Sequence, residues 1–135
     1  MAIGAVALAD TAWEIGANYL REREVFGRPL SENAAWRQRF AQSKAEIEAA
    51  RALTGVALGE FLAGNRGSVA AMAKLIATQT AIRVADEALQ AHGGYGYSME
   101  LPLQRFYRDA RLGPIGGGTS EVLREIIARA TLPTS

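Results

Sequence analysis

Over the first twenty residues the apolar positions keep a helical beat. Ile3, Val6, Trp13, Ala17 and Leu20, with Asp10 in the same stripe, recur at alternating steps of three and four, on one face of a helix ending before Gly27 and Pro29. Ser31 to Asn33 offers capping side chains. Trp36, Phe40, Ser43, Ile47, Ala50, Thr54, Ala57 and Phe61 then carry the same rhythm down a second helix of about eight turns. Gly64, Asn65 and Gly67 break it, Ser68 can cap the next, and Leu75, Ile82 and Leu89 return every seven residues up to Gly93. The loop Gly93-Gly94-Tyr95-Gly96-Tyr97, a turn-rich piece around Pro102, an arginine-bearing segment and a glycine stretch precede a last helix from about Ser120 to Ala130. No segment alternates well enough to read as a strand. Three long helices of similar reach and a C-terminal fourth predict an all-α fold, an up-and-down four-helix bundle, as one domain over residues 1–135.

Composition narrows the function classes. A chain of 135 residues suits a single core that buries roughly two-thirds of the surface exposed by the unfolded chain. Fifteen Lys and Arg against fourteen Asp and Glu leave a net charge of +1, too balanced to favour nucleic acid, so any basic site is local. Without cysteine there is neither disulfide nor thiolate metal site, and the single His92 makes no imidazole cluster, so no metal is expected. The apolar run Ala2 to Ala9 lacks a basic region before it and meets Asp10 after it, unlike a signal peptide. No run reaches the length of a membrane span. The expectation is a soluble, cytoplasmic protein.

Candidate chemistry gathers in loops at helix ends. Gly116, Gly117 and Gly118 run into a helix start at Thr119 and Ser120; bare backbone there can approach an anion, and the unpaired N–H groups of the first turn point at it. Arg21 and Arg23 stand at the exit of the first helix beside Phe26 and Gly27, and Arg105, Arg108 and Arg111 recur ahead of the glycines. Guanidinium groups so placed can fork onto phosphate while Phe26, Tyr95 or Tyr97 lies against a planar ring. Each feature also has a structural reading. Arginines near helix C-termini serve as dipole partners, glycines stop helices, and Gly-x-Gly without a preceding strand is not the dinucleotide fingerprint.

Taken together, in order and spacing, four segments resemble the C-terminal helical domain of acyl-CoA dehydrogenases, flavoenzymes that introduce an α,β double bond into acyl-CoA thioesters. Arg21 to Leu30 is similar to the family's RERxxFGxPL turn; Lys74 lies in AAMAKLIAT; Leu89 to Tyr97 is similar to LQxHGGxGY; Tyr107 to Arg111 with Gly118 to Glu121 is similar to YRDAR and GTSE. The resemblance spans almost the whole chain.

It implies FAD as cofactor, shared across a subunit boundary, and acyl-CoA as substrate of the complete enzyme. The arginine matching Arg23 meets the pyrophosphate, the aromatic matching Phe26 contacts the cofactor, and the segment matching Gln90 to Gly94, with Gly93 in it, holds the ADP portion of a neighbouring subunit's flavin. Residues matching Thr119 and Glu121 lie against FAD. Glu121 equally reads as N-terminal helix charge, Gln90 and His92 as parts of a C-terminal cap, and Asp109 as the local partner of an arginine. Ala34 stands where the family often has glutamine.

The departure is the catalytic base. Many members place a glutamate immediately before Gly-Thr, where this chain has Gly117, and glycine cannot abstract an α proton. The long-chain and isovaleryl branches place the glutamate on the preceding helix. The ending GGGTSEVLREIIAR is similar to the long-chain branch, whose alternative position falls a few residues before Met1. Asp10 and Glu14 lie too far along the helix to stand in, so no catalytic residue is assigned. The resemblance also implies an N-terminal helical domain and a middle β domain that are absent from this chain. The complete enzyme is expected to oxidise acyl-CoA and this polypeptide alone is not. Its expected partners are further copies or a dehydrogenase subunit, because isolated helices of this kind leave apolar surface bare. The competing expectation is a non-catalytic helical association module using the same faces.

Overall fold

The computed structural model describes residues 1–65 and 67–132. Helix α1 (Ala2–Glu22) leads through a two-residue strand pair, β1 (Glu24–Val25) and β2 (Arg28–Pro29), and a 3-10 turn into α2 (Ala34–Leu62). Then follow α3 (Val69–His92), the single turn α4 (Gly94–Tyr97), α5 (Leu103–Leu112) and α6 (Ser120–Thr131). The bundle expected from the periodicity is present: α1, α2 and α3 run up, down and up, and α5 and α6 pack against α3.

Why these residues pack this way is plainest in α2. Asn33 caps it, its side-chain oxygen accepting from the N–H groups of Ala35 (3.0 Å) and Trp36 (3.3 Å). Phe40, Ser43, Ile47, Ala50, Thr54 and Ala57 form its buried stripe. Phe61, assigned to that stripe by its spacing, is instead 64% exposed, on the wall of an open groove it shares with Ile3 and Ala70. On α1 the buried face is Val6, Ala9, Ala12, Gly16, Ala17 and Leu20. Ile3, expected inside, is exposed, and Asp10 sits at the seam, where it pairs with Lys44 and Arg51 at 2.9 Å each.

Helix α3 is the middle of the bundle. Its inward positions are small, Ala73, Ala77, Ala81, Ala85 and Ala88 among them, which lets neighbouring backbones close in on it. A Cβ on Gly16 would lie 2.7 Å from the Phe40 ring and 3.3 Å from the Ala88 backbone. Leu75, Ile82 and Leu89 are therefore half-buried flanks, not the seam that their seven-residue spacing suggests. The Ser68 side chain accepts no capping hydrogen bond from the first turn. The arginine-bearing segment is the helix α5, seated by fully buried Leu103, and Gly113 ends it where a Cβ would meet Thr78 at 2.8 Å.

The short strand pair was not expected. Glu24 pairs with Pro29 and Val25 with Arg28, joined by Phe26 at φ 54° and Gly27 at φ 76°. Positive φ at both central residues is the type I′ hairpin.

Candidate functional site

The residues singled out from the sequence fall into two groups at opposite ends of the bundle. At one end the exits of α1 and α3 lie side by side, held by Tyr19 stacked on His92 with ring centroids 4.0 Å apart. Arg23 ends α1 there, its N–H bonded to the Tyr19 carbonyl and its carbonyl accepting from Leu30, both at 2.8 Å. The hairpin then lifts Phe26 wholly into solvent, with 102% relative exposure. A bulky residue at positive φ costs about 1–2 kcal/mol, and no packing within the chain repays it. At the exit of α3, Gln90 is exposed, Gly93 turns at φ 60°, and exposed Gly94 opens α4. Gly96 is buried against α3, where a Cβ would sit 2.7 Å from both the His92 side chain and the Leu89 carbonyl.

Burial pushes the His92 imidazole below its ordinary value of 6.5, against a smaller opposing effect of its hydrogen bond to the Ala88 carbonyl. The unfolded chain therefore takes up a proton at His92 before the folded one does. Stability is expected to fall as pH drops through about 6.5, and His92→Gln to flatten that part of a pH-dependent urea titration. Asp10, held below 3.8 first by Lys44, loses its contribution only in a lower window.

The second group lies at the other end. Lys74 and Gln90 are sixteen positions apart on α3, about 24 Å at the helical rise. Here Gly117 (φ 61°) and Gly118 (φ 96°) form a left-handed pair, closed by Ser120 N–H donating to Pro114 O at 3.1 Å. Thr119 caps α6, its hydroxyl oxygen accepting from Val122 N–H at 3.4 Å. Glu121 is exposed, and its own backbone N–H, then the Thr119 hydroxyl, hold its carboxyl below the usual range. The helix-terminal roles of Thr119 and Glu121 are thus realised in the fold. Asp109, expected to pair with an arginine, is exposed and makes no ion pair among the described residues.

At Gly117 a Cβ would lie 2.6 Å from the Met1 sulfur. Gly117→Ala is expected to lower stability by about 1–2 kcal/mol, the left-handed cost for a residue with a Cβ, read as a shift of the urea midpoint. Lys74, in the AAMAKLIAT segment, is the tie between α3 and this loop, its ammonium donating to the Gly118 carbonyl. The signal was a lysine on the inward stripe Ala71, Lys74, Thr78, Ala81. Beside it opens a groove of about 520 Å³ bordered by Ile3, Phe61, Ala73, Lys74 and Gly117. No helix among the described residues is long and apolar enough to cross a membrane.

Comparison with known proteins places these motifs. The family model described as "Acyl-CoA dehydrogenase, C-terminal domain" matches residues 1–132. The chain is 40% identical over 134 residues to cyclohexane-1-carbonyl-CoA dehydrogenase of Geobacter metallireducens, covering 97% of this chain and 35% of that protein. It is 38% identical over 128 residues to 3-sulfinopropanoyl-CoA desulfinase of Paraburkholderia xenovorans, covering 95% of this chain and 33% of that protein. The solved butyryl-CoA dehydrogenase of Megasphaera elsdenii superposes with a TM-score of 0.94 at 38% identity, over 97% of this chain and 34% of that one. The chain thus spans about a third of the length of the curated relatives it matches.

Proposed function

We propose, from the premise that this chain belongs to the acyl-CoA dehydrogenase family as its C-terminal helical domain, that it supplies one wall of an FAD site for acyl-CoA oxidation and is inactive by itself. The observation that carries this reading is the end of the bundle where α1 and α3 exit. Phe26 stands fully exposed at positive φ between Arg23 and Arg28, and the exposed residues Gln90, Gly93 and Gly94 lie at the neighbouring exit of α3. Such a strained, solvent-facing aromatic flanked by guanidinium groups suits a ligand with a planar ring and phosphates. The residues present therefore fit FAD: Arg23 for the pyrophosphate, Phe26 for the cofactor's flat surface, and Gln90, Gly93 and Gly94 for the ADP portion. The chemistry FAD supplies when bound is acceptance of hydride from the acyl chain.

The loop leading to Thr119 and Glu121 is tied to Lys74, about 24 Å along α3 from Gln90, too far for them to belong to one compact pocket with Arg23. The two ends then serve two different flavins, which is how a cofactor shared across a subunit boundary meets one chain twice. Gly117 offers no base, so proton abstraction requires a carboxylate from elsewhere in the complete enzyme.

Arg23→Ala is expected to weaken FAD binding at least tenfold, read by flavin fluorescence at low salt, whereas Arg129→Ala on α6 leaves it unchanged. Equal affinities for both variants and the parent chain would remove the assignment and favour a non-catalytic association module.

A further inference from the structure

Lysine is seldom buried unless its charge is met. Lys74 lies on the inward face of α3 with 8% of its surface exposed. Its ammonium donates to the Gly118 carbonyl, and among the described residues it forms no ion pair. An ammonium carries three donors, so a single carbonyl leaves donors unused and the positive charge without an anionic partner.

The groove of about 520 Å³ beside it is walled by Ile3, Ala57, Leu58 and Phe61, with the flexible Met1 side chain lying over Gly117. Among the described residues lining it, Lys74 is the only charged side chain. Ala70 in the first turn of α3 also lines the groove, and Ser68 places no side-chain acceptor over that turn. The positive end of the α3 dipole thus adds to the ammonium on the same wall. The nearby Thr54 hydroxyl is already committed to the Ala50 carbonyl at 2.7 Å.

We propose that this groove is a carboxylate site, with Lys74 binding the acid group and the apolar walls taking the short carbon chain attached to it. Resting on the function proposed above, its occupant in the complete enzyme is an acyl thioester whose acyl chain carries a second acid group.

The test titrates the full 135-residue chain with glutarate and, in parallel, with its neutral diamide, following backbone amide resonances. Saturable shifts at Gly117, Gly118 and Lys74 with glutarate, at least tenfold weaker or absent with the diamide, are expected. Lys74→Met, close in volume, is expected to abolish the glutarate shifts. Equal shifts with the diamide, no saturation with glutarate, or shifts that persist in a folded Lys74→Met chain would overturn the proposal. Should that variant not fold, the acid and diamide comparison decides alone. No flavin enters this experiment, so its failure and the failure of the flavin reading are separately visible.

Discussion

Phe40→Ala is expected to lower the stability of the chain by about 3–5 kcal/mol, the usual cost of deleting a buried phenyl ring. The ring is 5% exposed and meets Trp13 and Trp36, each at a centroid distance of 6.2 Å. Its far side lies over Gly16, which has no side chain to move into the space. The backbone of Phe40 also accepts the Trp13 indole N–H at 2.8 Å, so collapse of the cavity would disturb a hydrogen bond between α1 and α2. Against total stabilities of about 5–15 kcal/mol this loss is large. Urea unfolding should show a lower midpoint, and the melting temperature should fall by roughly 10–20 °C. Phe61→Ala, on the exposed end of α2, is expected to stay within about 0.5 kcal/mol. A Phe40→Ala loss below about 1 kcal/mol would contradict the packing at the Gly16 crossing.

Phe26→Asn is expected to separate stability from ligand binding. The type I′ turn favours Asn-Gly, and asparagine tolerates positive φ far better than phenylalanine. Removing the fully exposed ring costs no packing. The folded chain should therefore be unchanged or gain up to about 1 kcal/mol. If Phe26 is the surface against which FAD lies, affinity for FAD should fall at least tenfold, about 1.4 kcal/mol. Both quantities come from one protein preparation, by urea titration and flavin fluorescence. A less stable variant with unaltered flavin affinity would mean that the hairpin serves folding alone.

The contrast between α2 and α3 shows what the amino-acid pattern reveals. Helix α2 has neighbours on one side, so its buried stripe follows the three-four spacing almost residue by residue, to Ala57. Helix α3 touches α1, α2, α5 and α6. With partners on most sides, its seam is made of alanines, and the large residues at Leu75, Ile82 and Leu89 mark the flanks. The strand pair escaped notice because two residues cannot display an alternation; the Phe26-Gly27 turn chemistry makes it. The motifs named Arg23, Phe26, Gln90 to Gly94, Thr119 and Glu121, yet a linear pattern carries no distance. That they divide between two ends of the bundle is visible only once α3 is seen to run between them. Likewise the buried ammonium of Lys74 depends on a loop 44 positions away in sequence.

The most direct measurement passes the purified chain through a sizing column equilibrated with FAD, recording flavin absorbance and molar mass on the same peak. If the α1 and α3 exits hold a cofactor shared between subunits, bound flavin will travel with a dimer or larger assembly and be missing from any monomer. Flavin bound to the monomer, or a well-folded oligomer carrying none, would contradict that claim.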